Sequence, residues 1–449
     1  MANLLWGKVY FNDMFAGFLR EEPGDRITFT YDDSYISAEN PAIAHTLPVR
    51  AAPHISNNGL HPFFDNLVSE GWLEHAQSRL LGKREVKRFE LLLAFGFDCA
   101  GAVSVVDPEP SKLTQAMLDI DDPKEMAVLT SRASLSGVQP KLTVVEENGI
   151  FRPARIDEIS THIVKFPSAN HPDLIENEYL TSQAFKALLP DDEIVELSIG
   201  EIKGLDDPAL IIKRFDRELT HLEEGFGGGS GSGAGFGDGS GYGGGSASGF
   251  GYPDGSGDSI HPSLFEIKRI HFEEFNQLLG RRSNAKYTGA HKDMAEFILQ
   301  TDGCLPTQAY MLYRRILAGL LLGNTDMHFK NFAMLHTTQG LRFTPSYDQV
   351  AASLYQYKTV ALSIAGASDL PIGNLKPANM IRLGEEFGLS PAAINMAVDG
   401  LIKNFNMAKQ AISDAEFGSD NLKNNLIKLM EKRWNGTFAL IGKTLSSRQ

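Results

Sequence analysis

Apolar and polar positions alternate from the start of the chain. Leu4 to Phe11 and Phe15 to Arg20 read as strands joined at Asn12-Asp13, and Pro23-Gly24-Asp25 turns into a third, Ile27 to Tyr31. The period then becomes helical, over about Phe63 to Leu81 and Arg88 to Phe95, ahead of the small-residue run Cys99 to Ala102. Residues 1–107 are expected to form an α+β subdomain, and the acidic, proline-bearing stretch 108–130 a linker.

A second β-rich segment, 131–222, follows. The small-residue loop Ser134 to Lys141 opens into a strand, Leu142 to Val145, and Asn148-Gly149 is a strong hairpin signal. His162 to Phe166 is apolar except for Lys165, and the helix Leu174 to Leu189 carries Glu178. Strands at Ile194 to Ile202 and Leu210 to Phe215 complete an expected five-stranded sheet. Residues 225–257 hold 17 glycines in 33 positions, so the backbone entropy of ordering them exceeds what they could bury, and disorder is expected. From 260 to 449 the pattern is mostly helical, over Phe272 to Leu279, Lys292 to Gln300, Gln308 to Leu322 and from about Lys376 onward. One hairpin, Asn331 to Thr344, interrupts it.

Composition narrows the function classes. The formal net charge of −14 argues against unaided grip on nucleic acid, which needs a basic footprint. Two cysteines, Cys99 and Cys304, exclude a disulfide framework and a cysteine zinc site. No apolar run approaches the roughly 20 residues that span a bilayer, and Met1 to Phe18 lacks the layout of a signal peptide, so a cytoplasmic protein is expected.

The chemistry gathers around the hairpin. Asp326 and Asn331 precede it at a spacing of five, and Asp348 follows it. Protein kinases place a catalytic Asp, a metal-binding Asn and a metal-binding Asp in that order. Phosphoryl transfer asks the protein chiefly for positioning and charge stabilisation. Asp326 would accept the attacking hydroxyl's proton, while Asn331 and Asp348 would hold Mg²⁺ against the phosphates. By itself the D-x₄-N spacing is also met by a helix-capping Asp and a turn Asn. Upstream, Gly137, Val138, Gln139 and Lys141 lie in a loop that could cradle phosphates, although it matches neither a Walker A nor a G-x-G-x-x-G pattern. A lysine inside an apolar strand needs a carboxylate or phosphate partner, so Lys165 points to Glu178 or to the nucleotide.

At these residues the chain resembles the HipA family of serine/threonine kinases, the toxin halves of bacterial toxin–antitoxin pairs. The matching runs are S-L-S-G-V-Q-P-K (Ser134 to Lys141), T-H-I-V-K-F-P (Thr161 to Pro167), E-N-E-Y (Glu176 to Tyr179), K-R-F-D-R (Lys213 to Arg217), G-N-T-D-M-H-F-K-N-F (Gly323 to Phe332) and T-P-S-Y-D (Thr344 to Asp348). V-Y-F-N, P-F-F-D-N-L-V-S-E-G and D-C-A-G-A-V extend the likeness through the first hundred residues.

The resemblance implies a two-lobed, protein-kinase-like α+β fold with a β-rich nucleotide lobe and a helical catalytic lobe. It implies ATP and Mg²⁺ as cofactors, Asp326 as base, Asn331 and Asp348 as metal ligands, and Lys165 on the phosphates. Lys213, Phe215 and Asp216 would form the adenosine-side hinge, with His328 near the nucleotide. Ser134 would be an inactivating autophosphorylation site, with Ser136 a second acceptor. The implied partners are a helix-turn-helix antitoxin of the HipB type, DNA only through that antitoxin, and glutamyl-tRNA synthetase as protein substrate. The glycine-rich insertion departs from the family pattern and leaves the catalytic set intact.

Two rival readings remain at this level. A small-molecule kinase of the aminoglycoside-phosphotransferase type shares the Asp/Asn/Asp logic. The run Arg382 to Ala397 has the helix-Gly-helix rhythm of a DNA-reading motif, though Glu385 and Glu386 oppose phosphate contact.

Overall fold

The computed structural model describes residues 4–70, 72–82, 86–110, 139, 141–168, 170–205, 207–221 and 265–446. Most of the expected linker, the Ser134 to Val138 part of the loop and the glycine-rich insertion lie outside the described residues.

The N-terminal sheet contains β1 (Trp6–Phe11), β2 (Met14–Glu22), β3 (Arg26–Tyr31), β4 (His54–Ser56) and β5 (Val103–Val106), in the order β4-β3-β2-β1-β5. Asn12 and Asp13 both take positive φ, 47° and 62°, which gives the tight turn between β1 and β2 a twist matching that of the strands. Helices α1 (Asp33–Ser37), α2 (Pro62–Leu67), α3 (Trp72–Leu80) and α4 (Arg88–Phe95) accompany it. The continuous helix expected over Phe63 to Leu81 is therefore broken. The Arg88 guanidinium collects the backbone carbonyls of Asp65 (2.6 Å), Val68 (3.4 Å) and Ser69 (3.3 Å) and pairs with the Asp65 carboxylate at 2.7 Å. A tertiary partner thus satisfies the carbonyls at the end of α2 and lets the chain turn out at Val68.

The second sheet has the order β7-β6-β8-β10-β9, from β6 (Lys141–Glu147), β7 (Ile150–Pro153), β8 (His162–Lys165), β9 (Leu197–Gly200) and β10 (Ala209–Lys213). Its β6–β7 turn again uses paired positive φ, at Asn148 and Gly149. The outer strand is shorter than the expected Ile194 to Ile202, because Ile194 instead bridges in parallel to Ser346. Helix α5 (Leu174–Leu188) packs against β9 and β10.

Contacts set residues 218–268 apart as a second unit, of which 218–221 and 265–268 are described. Among its described residues, β11 (Arg217–His221) pairs with β12 (Phe265–Arg269).

The remainder is mostly helical: α6 (Phe275–Leu278), α7 (His291–Gln300), α8 (Thr307–Leu322), α9 (Pro377–Glu386), α10 (Pro391–Asp414), α11 (Asp420–Gly436) and α12 (Ile441–Ser446). Ile316, Leu320, Ile381, Ile394 and Leu426 are fully buried and fuse these helices into one core. Leu383, Gly384, Ile394 and Ala397, from the helix-Gly-helix run, lie in or beside the same core, so that face is packed against protein. The expected helix Phe272 to Leu279 is instead β13 (Phe272–Glu274) followed by the single turn of α6. Apolar residues at 272, 275 and 278 mimic a helical period. However, the hairpin of β14 (Ala333–Thr337) and β15 (Gly340–Phe343) needs a partner for its open edge, and residues 272–274 supply it, with Phe272 opposite Leu335 and Glu274 opposite Ala333. Among the described residues, no helix is long and apolar enough to cross a membrane.

Candidate active site

Helix α8 is buried along most of its length and ends at Gly323, whose left-handed φ of 84° closes the helix. A Cβ at Gly323 would lie 2.4 Å from Ser353 Oγ and 2.6 Å from Leu429 Cδ2, so both conformation and space require glycine there. The loop beyond is held by its own amides. Asn324 accepts from the Asp326 backbone N–H at 3.0 Å and donates to the Asp348 carbonyl at 3.3 Å. One side chain therefore links the backbones of the two acidic residues, which are distant in sequence.

Asp326 opens to solvent at one edge and accepts from the Tyr287 hydroxyl at 3.1 Å. Burial pushes its carboxyl up to about 6; the Tyr287 bond opposes the shift and the like charge of Asp348 adds to it. Asn331 donates its amide NH₂ to the Asp326 carbonyl at 2.7 Å, leaving the amide oxygen for another partner. Asp348 sits at a left-handed φ of 54°, a costly conformation for a residue with a Cβ and one that recurs at functional sites.

Lys165 Nζ contacts both Glu178 oxygens, at 2.7 and 2.9 Å, and also bonds Asp348. Burial works against its charge, but the two carboxylates outweigh it and hold the ammonium protonated. Lys165 also stands directly opposite Lys141 in the β6–β8 register. Two cations on one sheet face repel unless anions lie between or beside them. Gln139, the described residue of the preceding loop, has a buried Nε2 without a hydrogen-bond partner. Two lysines and a free donor beside paired carboxylates suit a polyphosphate bridged by a divalent cation.

The hinge residues divide. Phe215 stacks on Tyr347 with ring centroids 5.8 Å apart, and meets Phe272 at 4.8 Å. Lys213 is exposed and pairs with Glu196 at 3.1 Å. Asp216 is buried, and its carboxylate is consumed by Arg214 (2.7 Å), Arg217 (2.9 Å) and the Gly101 N–H (2.8 Å). That carboxylate ties the first subdomain to the hinge. His328 is buried beside Tyr287, its Nδ1 accepting from the Lys330 N–H at 3.2 Å. Burial lowers its pKa to about 4, so it stays neutral.

Tertiary structure adds residues that periodicity could not reveal. Glu70 receives Lys330 at 2.6 Å and Lys286 at 2.8 Å. Burial raises the Glu70 carboxyl, yet the two ammonium groups prevail and bring it down to about 2. Lys330 also lies 3.4 Å from Glu274, whose burial pushes its carboxyl up to about 7. Glu70 belongs to the run P-F-F-D-N-L-V-S-E-G, but nothing local signals its partners more than two hundred residues away. Tyr287 had no signal at all.

Residues 133–409 match the model of the HipA-like C-terminal domain, and residues 7–106 that of the HipA N-terminal domain. The serine/threonine-protein kinase toxin HipA of Shewanella oneidensis is 25% identical over 442 residues, covering 92% of this chain and 90% of the relative. A Haemophilus influenzae protein is 32% identical over 99 residues, which is 22% of this chain and 89% of that one. Among solved structures, the Shewanella oneidensis complex of HipA, HipB and operator DNA contains a chain that superposes with a TM-score of 0.65 at 21% identity, covering 97% of this chain and 99% of that one. The two-lobed kinase-like fold and the paired family domains agree: this chain belongs to the HipA family of protein kinases.

Proposed function

We propose that this chain is an ATP- and Mg²⁺-dependent serine/threonine kinase acting as the toxin of a toxin–antitoxin pair. The observation that carries the reading is the convergence on one centre of Asp326, Asn331, Asp348 and the Lys165–Glu178 pair. Asp326 accepts the proton of the acceptor hydroxyl, a step general bases accelerate by about 10²–10⁴-fold. The Asn331 oxygen and the Asp348 carboxylate are the groups that would hold Mg²⁺, which when bound neutralises charge on the phosphates. Lys165, kept charged by Glu178, orients the phosphates, and Lys141 and Gln139 face the same anion. The substrate we propose is a serine on glutamyl-tRNA synthetase in the cytoplasm. A HipB-type antitoxin restrains the enzyme and makes the DNA contact that a chain of net charge −14 is ill suited to make.

Asp348→Ala is expected to abolish Mg²⁺-dependent ATP binding in titration calorimetry. It removes a cation ligand and leaves Lys165 paired with Glu178 alone. Undiminished binding would remove Asp348 from the metal set.

Self-inactivation forms part of the same proposal. A phosphate on Ser134 adds about −1.5 to −2 charges to a loop that must approach ATP, so the modified loop is repelled from its ligand. Intact-mass analysis after incubation with Mg·ATP should show phosphate on wild type, most of it lost in Ser134→Ala, with any remainder on Ser136. The test of the whole reading is phosphosite mass spectrometry of a bacterium expressing the chain against an Asp326→Ala control. New phosphoserine on glutamyl-tRNA synthetase only with the active chain supports it; identical phosphoproteomes reject it.

A further inference from the structure

The face of the three-stranded sheet opposite Glu274 carries a second polar cluster. His271 immediately precedes β13, and its carbonyl accepts the His336 N–H at 3.0 Å, so the two histidines are cross-strand neighbours. Their rings lie 4.5 Å apart between centroids. Glu273 comes two residues after His271 and therefore shares its face, while Glu274 turns to Lys330 on the other side. His336 Nε2 is 2.8 Å from Glu273 Oε1, and the three ligand atoms all lie within 4.8 Å of one another.

Two atoms in this cluster are unsatisfied. Glu273 is fully buried and its Oε2 has no hydrogen-bond partner; His271 is 6% exposed and its Nε2 has none. Among the described residues, no lysine or arginine pairs with Glu273. A buried carboxylate without a compensating cation is costly, and so is a buried imidazole nitrogen without a partner.

We propose that His271, Glu273 and His336 bind Zn²⁺. Two imidazoles and one carboxylate form a donor set that zinc accepts readily, whereas Mg²⁺ and Ca²⁺ favour oxygen ligands throughout. The free Glu273 Oε2 or a water completes the coordination. His271 binds through Nε2, so its proton resides on Nδ1. The 3.5 Å approach of the Ala102 N–H to Nδ1 is given up on binding.

The role is structural. Glu273 Oε1 also accepts the His45 N–H at 2.7 Å, and His271 meets the edge of Phe11 at 4.9 Å and Phe63 at 6.4 Å. A metal here fastens β13 to β14 on the face that meets the N-terminal subdomain.

The test uses the untagged full chain, stripped with chelator and titrated with ZnCl₂ against a chromophoric competitor. One equivalent of zinc is expected to bind and to raise the thermal midpoint. Glu273→Gln and His336→Ala should each weaken binding by more than about 100-fold, beyond the usual cost of losing a mere supporting partner. His336 is part-exposed, so that variant keeps the fold even if Glu273→Gln does not. Asp348→Ala should retain the zinc, which separates this site from the proposed nucleotide centre. The proposal is overturned if no stoichiometric zinc binds, as for a cluster holding only a water or a His336–Glu273 ion pair. Equal affinity in wild type and His336→Ala overturns it as well.

Discussion

Asp326→Asn is expected to lower phosphoryl transfer by about 10³-fold or more while ATP binding and the fold persist. The substitution is nearly isosteric. The Asn324 side chain still receives the residue's backbone N–H, Asn331 still bonds its carbonyl, and the amide oxygen can still accept from Tyr287. What disappears is the negative charge and, with it, the capacity to take up a proton. Steady-state turnover with ATP titration and circular dichroism on the same sample separates chemistry from binding and folding. Retention of more than about a tenth of wild-type turnover, where a lost general base costs at least a hundredfold, would exclude Asp326 as the base.

The largest expected effect on stability lies away from the reacting groups, at Asp192. Its carboxylate receives Arg315 at 2.5 and 2.8 Å, and both side chains are almost completely buried. Arg315 lies on α8, the helix that delivers the catalytic loop, and its guanidinium also covers the Phe343 ring at 4.7 Å. Asp192 follows α5, so the pair links the helix of the nucleotide lobe to the main helix of the catalytic lobe. Asp192→Ala leaves a buried guanidinium without its counter-charge, a loss of about 3–5 kcal/mol. Urea denaturation should show a lower midpoint at unchanged slope. Replacing both residues by leucine should recover much of the loss, because the penalty comes from the orphaned charge. A drop below about 1 kcal/mol, the range of an exposed pair, would show that water reaches Arg315.

Local signals in the sequence were sufficient for much of the architecture, while the two-lobed kinase-like fold was carried by the family resemblance. Alternation, paired turn residues such as Asn12-Asp13 and Asn148-Gly149, and the apolar run closed by Gly323 each depend on neighbours a few positions apart. The order of Asp326, hairpin and Asp348 was legible for the same reason, as was the pairing of Lys165 with Glu178, since a lysine in an apolar strand must find a carboxylate. What local signals did not reach involved partners distant along the chain. The helix expected from Phe63 broke because Arg88 took the carbonyls at its end, and residues 272–274 became a strand because the edge of β14 needed them. Asp216 was drawn into an arginine network with the first subdomain, and Glu70 was brought to the lysines of the catalytic loop. The His271, Glu273 and His336 cluster exists only because two strands align across more than sixty residues of chain. Periodicity reports which face of an element is apolar; which element covers that face, and which buried charge is thereby matched or left unmatched, is decided by tertiary packing.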